Sequence, residues 1–277
     1  MNDEARLRQA ICDTGRSLHA RGYVHSSAGN ISARCEDGFL ITPTDACLGD
    51  LNPDELAQVD LEGSQKGGLP ASKTLRLHRA IYEAQPDAHC VLHTHSTHCV
   101  ALTLKGVWHP DCVVPPLTPY MVMKVGEIPL IPYHLPGAPE VAGLIQARVR
   151  TRPALRGVLL ERLGPVVWAR TPQSASHVLE ELEETARLWL MAGPVTPCLD
   201  AMQITALCER FGVAGAIVAP AYLPGGRGFV FTSNRQSKSK TVINGTTYYA
   251  LDEYERERVL NLHTMDNNGG AITQISV

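Results

Sequence analysis

Between Val91 and His98 the chain runs Val-Leu-His-Thr-His-Ser-Thr-His, with three histidines in six residues directly after an apolar stretch. Side chains two apart on a strand share a face, so His93 and His95 point the same way if that stretch ends a buried strand. Two imidazoles side by side at a strand end can share a metal ion; the alternative is a pair satisfied within the core. His98 lies about one helical turn beyond His95 and need not join them. A second candidate is Ser26–Arg34 (SSAGNISAR). Its small residues let the backbone turn tightly and leave amide groups free, so Asn30 and the serines can hold an anion or a carboxylate. An ordinary loop entering a strand is the alternative there. A third is Ser72-Lys73 at a helix start, an anion site or simply a capping serine and a solvated lysine.

Alternating strands and helices must position these groups. Asp3–Arg21 has the apolar stripe of a helix (Leu7, Ile11, Leu18), stopped by Gly22. Gly38–Thr42 is a strand, followed by a turn at Pro43-Thr44-Asp45, and Asn52 caps a turn at Pro53-Asp54-Glu55. Ser72 caps a helix over Lys73–Ala84 that presents Leu75, Leu77, His78 and Ile81. His89–His93 is a strand, Ser96–Leu104 a helix, and a short helix ends before Gly126. Ile128–Ile131 is a strand whose proline predicts an edge position. A helix over Glu140–Arg150 precedes a hairpin of Arg156–Glu161 and Pro165–Ala169. Gln173–Ala192 is a long helix with Glu180, Glu181, Glu183 and Glu184 on a mostly solvated face, and Ala201–Phe211 is one more helix. Beyond it come short β-like runs, flexible loops and a final helix over Leu251–His263. The pattern predicts a layered α/β domain with an appendage.

The bulk numbers exclude several classes. The 277 residues are 44% hydrophobic, enough for a sizeable core. Net charge is -3 and aromatics are 5%, which gives no case for nucleic acid or an anionic membrane. No apolar run reaches the roughly 18 residues of a membrane span. The eight cysteines contain no CxxC pair, which suits free thiols in a reducing cytoplasm.

Six motifs occur in order: GNISAR (29–34), ITPTDA (41–46), ASK (71–73), VLHTHSTH (91–98), PPLTPY (115–120) and the Gly164-Pro165 hairpin. Together they resemble the class II aldolase/adducin family over about residues 3–212. LTPYMVMKVG (117–126) and LEELEETARLWL (179–190) resemble its sugar-acid phosphate decarboxylase branch. The resemblance implies a layered α/β/α domain with a central, mainly antiparallel sheet over residues 1–212, plus a C-terminal extension over 213–277. It implies a divalent metal acting as a Lewis acid, which chelates a carbonyl and stabilises an enediolate when a C–C bond breaks. By motif position, His93 and His95 are metal ligands, and Asn30, Thr44, Ser72 and Lys73 form the phosphate or carboxylate cradle. Tyr120 is donated by a neighbouring subunit of a cyclic homotetramer with sites between subunits.

Two positions depart from the family pattern. The glutamate that follows the SK pair is Thr74, which cannot take up a proton near neutral pH. The histidine before the hairpin glycine is Leu163, which cannot bind a metal. Three readings follow. The chain is a non-catalytic, adducin-like relative. Or it is a Zn(II) or Mn(II) decarboxylase or aldolase of a sugar-acid phosphate of the 3-oxo-tetronate 4-phosphate type, with rearranged ligands. Or the metal has changed its task. Two histidines plus a carboxylate is the ligand set of non-haem Fe(II) oxygenases. Glu161, two residues before Leu163 on the same predicted strand, is one candidate third ligand, and His134 in the 132–137 loop is another. The chain also resembles a family offshoot of aminocoumarin antibiotic pathways that works as a non-haem iron oxygenase. The likeness lies in length, in the C-terminal extension and in the lost glutamate. That resemblance, the main expectation, implies Fe(II), O2 and an aryl 2-oxo acid, a prenylated 4-hydroxyphenylpyruvate shortened through a mandelate to a benzoate. Lys73, Ser72 or Asn30 would hold the carboxylate, and Tyr120 would meet the phenol or donate a proton.

Overall fold

The computed structural model describes residues 3–193 and 197–213 throughout, and six short strands beyond them by their backbone. Eight strands form one sheet: β1 (Asn30–Cys35), β2 (Gly38–Ile41), β3 (Ala57–Val59), β4 (Gln65–Gly67), β5 (Cys90–His93), β6 (Leu130–Ile131), β7 (Gly157–Leu160) and β8 (Gly164–Ala169). Their order is β4-β3-β2-β1-β5-β8-β7-β6. Neighbours are antiparallel except β6, which runs parallel to β7 at the edge. That edge place agrees with Pro129, since a proline has no N–H to donate and is tolerated where one side of the strand is unpaired.

Helices cover both faces of the sheet. On one face α1 (Asp3–Ala20), α3 (Thr97–Lys105) and α5 (Pro172–Ala192) bring Ile11, Leu18, Leu102, Leu179 and Leu182 onto Ile31, Leu92 and Val167. On the other, α2 (Leu75–Ala84) and α4 (Pro139–Thr151) bring Ile81, Tyr82, Ile145 and Val149 onto Val91, Val158 and Val166. Strand alternation explains the split. In β1, Ile31 and Ala33 enter the first core, and Ser32 turns towards α2. In β5, Leu92 faces the first core and Val91 the second, so His93 emerges on the α2 side. The expected layered α/β domain with a mainly antiparallel sheet is therefore present. A π-helical turn at Met121–Val125 stands where a short helix was expected, and α6 (Ala201–Phe211) packs Ile204 on its Val122. Residues 251–261 of the expected final helix lie outside the described residues, and Leu262–Thr264 is a strand.

Two local expectations fail. The helix after Ser72 starts at Leu75 and not at Lys73. The Ser72 hydroxyl instead bonds the Thr74 hydroxyl (2.9 Å), so an exposed Lys73 and a half-buried Thr74 form a turn ahead of the helix. And Glu183 is not solvated. It is 6% exposed and caps the start of α3: Oε1 accepts from the His98 backbone N–H and Nδ1, and Oε2 accepts from the Cys99 N–H, all at 2.8 Å. The helix N-terminus explains why a carboxylate is stable there. Glu183→Ala strands two buried backbone donors, so it should cost about 2–4 kcal/mol in urea unfolding, and Glu183→Gln, which keeps one acceptor, about half that. Equal stability of the three proteins would show that the cap is not needed.

Candidate active site

The site lies where β5 ends, between the start of α2, the β7–β8 turn and the loop leading into α4. His93 and His95 come together there, their rings 5.1 Å apart at 59°. His93 is buried, and its Nδ1 lies 2.8 Å from the Pro165 carbonyl. A carbonyl only accepts, so the proton is on Nδ1 and the Nε2 lone pair is free, the usual arrangement of a histidine ligand. Burial, and then the neighbouring His95, push the His93 pKa down to about 4, and burial followed by His25 lowers that of His95. Both rings are thus neutral at physiological pH, as metal binding requires. The donor set fits two coordination positions of a divalent metal. Among the described residues, no group of three His, Cys, Asp or Glu side chains converges to complete it.

His93 shares one pocket with Asn30, Lys73, Thr74, Glu161, Leu163 and His134. The structure so gathers most of the expected residues, but not as the expected ligand set. Glu161 and Leu163 sit in the turn between β7 and β8, where Arg162 has φ +63°, and not on a strand. The same-face argument for Glu161 therefore fails. Its carboxylate accepts the Tyr133 backbone N–H at 2.9 Å, and His134 Nδ1 is bonded to the Pro132 carbonyl at 2.7 Å. Glu161 is thus tied across to the 132–137 loop, and His134 is held within it. Ser72 lies buried beside the pocket, with its backbone N–H on the Thr42 carbonyl. Next to it the Thr44 N–H bonds the Pro70 carbonyl, so the ITPTDA and ASK motifs meet. Tyr120 is 59% exposed and does not line this chain's pocket.

Sequence reasoning missed two features of this pocket. Arg76, three residues beyond Lys73, lines it. His78, read as part of an apolar helix stripe, is fully buried and joined to Asn30 (2.6 Å) and Ser32 (2.7 Å). The signal was present: polar Asn30 and Ser32 alternate with Ile31 and Ala33, and His78 and Tyr82 are four apart on one helix face. Burial, and next the nearby His93, push the His78 pKa from 6.5 down to about 3. A histidine whose pKa is depressed on folding leaves the unfolded chain holding the extra proton. Stability is then lost as pH falls through that window. His78 should contribute about 1.4 kcal/mol per pH unit between roughly 6.5 and 3. Urea midpoints measured across that range on metal-free protein check this, and a flat profile contradicts it.

A model of the class II aldolase and adducin N-terminal domain matches residues 9–190. The chain is 63% identical over 191 residues to a 3-oxo-tetronate 4-phosphate decarboxylase of Cupriavidus necator, covering 69% of this chain and 86% of that protein. It is 38% identical over 195 residues to one from Pectobacterium atrosepticum, covering 70% and 88%. Among solved structures, YgbL of Klebsiella pneumoniae, described as an aldolase, epimerase or decarboxylase, is 38% identical with a TM-score of 0.70, covering 75% of this chain and all of that one. These relatives overturn the oxygenase expectation. Those named for a reaction are lyases of a sugar-acid phosphate, and nothing in them supports Fe(II) and O2 chemistry, an aryl 2-oxo acid or a place in antibiotic biosynthesis. Thr74 and Leu163 therefore do not by themselves mark a change of chemistry in a chain 63% identical to a decarboxylase. No described helix is long and apolar enough to cross a membrane. With residues of the GNISAR, ASK and VLHTHSTH motifs lining one pocket and a family match across the whole layered sheet, the chain belongs to the class II aldolase and adducin family.

Proposed function

We propose that the protein is a divalent-metal-dependent decarboxylase of a sugar-acid phosphate of the 3-oxo-tetronate 4-phosphate class. The single observation that carries this is the 63% identity to a decarboxylase of that substrate across the domain that holds the pocket. The chemistry is consistent with the residues present. In a 3-oxo acid the C1–C2 bond breaks with its electron pair passing into the C3 carbonyl, and no proton is abstracted first. An enediolate remains, and protonation at C2 gives dihydroxyacetone phosphate. A retro-aldol cleavage, in contrast, begins by deprotonating a hydroxyl. Thr74 therefore handicaps an aldolase more than a decarboxylase.

Lys73, Ser72, Thr44 and Asn30 would bind the anionic ends of the substrate at the start of α2. His93 and His95, neutral at physiological pH, would hold the metal, Zn(II) or Mn(II), which when bound supplies Lewis-acid stabilisation of the enediolate oxygens. Tyr120, exposed on its own chain, would reach the pocket of a neighbouring copy in a homotetramer and donate the proton to C2. Residues 1–212 would form the catalytic domain and 213–277 a separate extension, and cysteines without a CxxC pair suit a reducing, cytoplasmic setting.

The test is incubation with 3-oxo-tetronate 4-phosphate and Zn(II) or Mn(II). Equal yields of CO2 and dihydroxyacetone phosphate are expected, with no oxygen uptake and with loss of turnover after chelation. Absence of CO2 under all metals would overturn the proposal. Leu163, and the lack of a convergent third ligand among the described residues, favour one second reading, a domain that binds the sugar-acid phosphate without turning it over. Tight binding without CO2 release would select it.

A further inference from the structure

Behind Asn30 a line of polar side chains runs away from the pocket into the core under α2. Asn30 Oδ1 lies 2.6 Å from His78 Nε2, His78 Nδ1 lies 2.7 Å from Ser32 Oγ, and Ser32 Oγ lies 2.7 Å from the Tyr82 hydroxyl. All four residues are buried, at 6%, 0%, 0% and 2% exposure, so water cannot stand in for a lost partner. The chemistry of the atoms sets one direction. Oδ1 of an amide only accepts, so His78 must donate through Nε2–H. A neutral imidazole then has only a lone pair at Nδ1, and Ser32 donates to it. Ser32 in turn accepts from the Tyr82 hydroxyl. Every group is satisfied, and Asn30 is left with its Nδ2 protons uncommitted among the described residues. Asn30 lies in register opposite His93 across β1 and β5, and both line the pocket.

We propose that His78, held by Ser32 and Tyr82, is a positioning residue that locks the Asn30 amide with its Nδ2–H pointing into the pocket as a donor to an oxyanion of the bound sugar-acid phosphate. A free asparagine can flip and present its acceptor oxygen, which would repel the same oxygen. The relay removes that choice before the substrate arrives, so the donor is preorganised. Of the four relay residues, Asn30 and the fully buried His78 line the pocket, and Asn30 is the one that would touch substrate; Ser32 and Tyr82 lie behind them. The assignment of the ligand rests on the decarboxylase reading above; the direction of the relay does not.

Two substitutions separate positioning from packing. In His78→Gln the side-chain N–H can still reach Asn30 Oδ1, and in His78→Asn only the short side near Ser32 is retained. The probe is erythronate 4-phosphate, the reduced analogue that cannot lose CO2, titrated by calorimetry. His78→Gln should bind within about threefold of wild type, and His78→Asn at least about tenfold more weakly, with similar melting temperatures for the two. Equal binding by both would overturn the proposal. If either variant fails to fold, nitrogen NMR of histidine-labelled wild-type protein decides. A neutral His78 protonated at Nε2 is expected, and protonation at Nδ1 overturns the relay. If wild type does not bind erythronate 4-phosphate at all, the substrate reading falls, and the ring-nitrogen measurement still rules on the relay.

Discussion

Replacing His93 by alanine will strip the protein of its divalent metal and remove about a thousandfold or more of turnover, on the order of 4 kcal/mol of transition-state stabilisation. Nδ1 of His93 is committed to the Pro165 carbonyl, so Nε2 carries the only lone pair, and the strand end fixes where it points. Burial keeps the ring neutral far below physiological pH, so a metal need not compete with a proton for it. Among the described residues His95 is its one imidazole partner in ring contact, and a single imidazole is a weak site for Zn(II) or Mn(II). The check is metal content after dialysis, by plasma mass spectrometry, for wild type, His93→Ala and His95→Ala. Decarboxylation is measured alongside. His93→Ala also removes one of the two hydrogen bonds to the Pro165 carbonyl, which keeps the Thr94 N–H at 3.3 Å, a cost of about 1 kcal/mol, so its melting temperature must be recorded to exclude unfolding. If folded His93→Ala keeps the wild-type metal content, the pair is structural and the site lies elsewhere.

How far the sequence spoke for this site depended on the kind of signal. The closeness of His93 and His95 was legible from a count of two after the apolar Cys90–Leu92, although β5 ends at His93 and His95 follows it. The edge place of β6 was legible from one proline. The order of the motifs carried the fold. The misses have a common physical cause. Glu161 was assigned by alternation to a strand that has already ended, since the turn at Arg162 begins one residue earlier than the apolar pattern suggests. Glu183 looked like its neighbours Glu180, Glu181 and Glu184, and only the rotation of α5 against α3 decides that it alone is buried as a cap. Of the others, Glu180 meets Arg21 at the surface at 2.7 Å. His78 looked like packing because its partners are 46 and 48 residues away on another strand. Local pattern shows which face a residue lies on. It does not show what waits opposite that face. The functional error was of another kind. Thr74 and Leu163 are true departures, but two lost side chains were allowed to outweigh the many positions that match the decarboxylases.

Gly164→Ala should be the most damaging substitution to the fold near the site, costing more than about 4 kcal/mol, although it adds one methyl group. Gly164 has φ +123°, a backbone state that side-chain-bearing residues rarely adopt. A Cβ there would lie 2.2 Å from the Thr94 carbonyl oxygen and 3.1 Å from the His95 Cα. Both neighbours are backbone, so no side chain can swing aside. The β7–β8 hairpin would have to move away from the strand end, and the Thr94 N–H bond to the Pro165 carbonyl (3.3 Å) would open with it. That same carbonyl orients His93, so the damage reaches the metal pair directly. Gly29 presses from the other side: at φ +84°, its Cβ would lie 2.7 Å from the His93 carbonyl oxygen. The His93-Thr94 backbone is thus held between two glycines, one ahead of β1 and one opening β8. This explains the glycine of GNISAR and that of the Gly164-Pro165 hairpin by one cause, close approach to the segment that carries the histidines. The measurement is urea unfolding of Gly164→Ala with metal content on the folded fraction. The expected result is a lower midpoint together with reduced metal. A variant of wild-type stability and full metal content would mean that the hairpin adapts, and that the position of His93 is set by β5 alone.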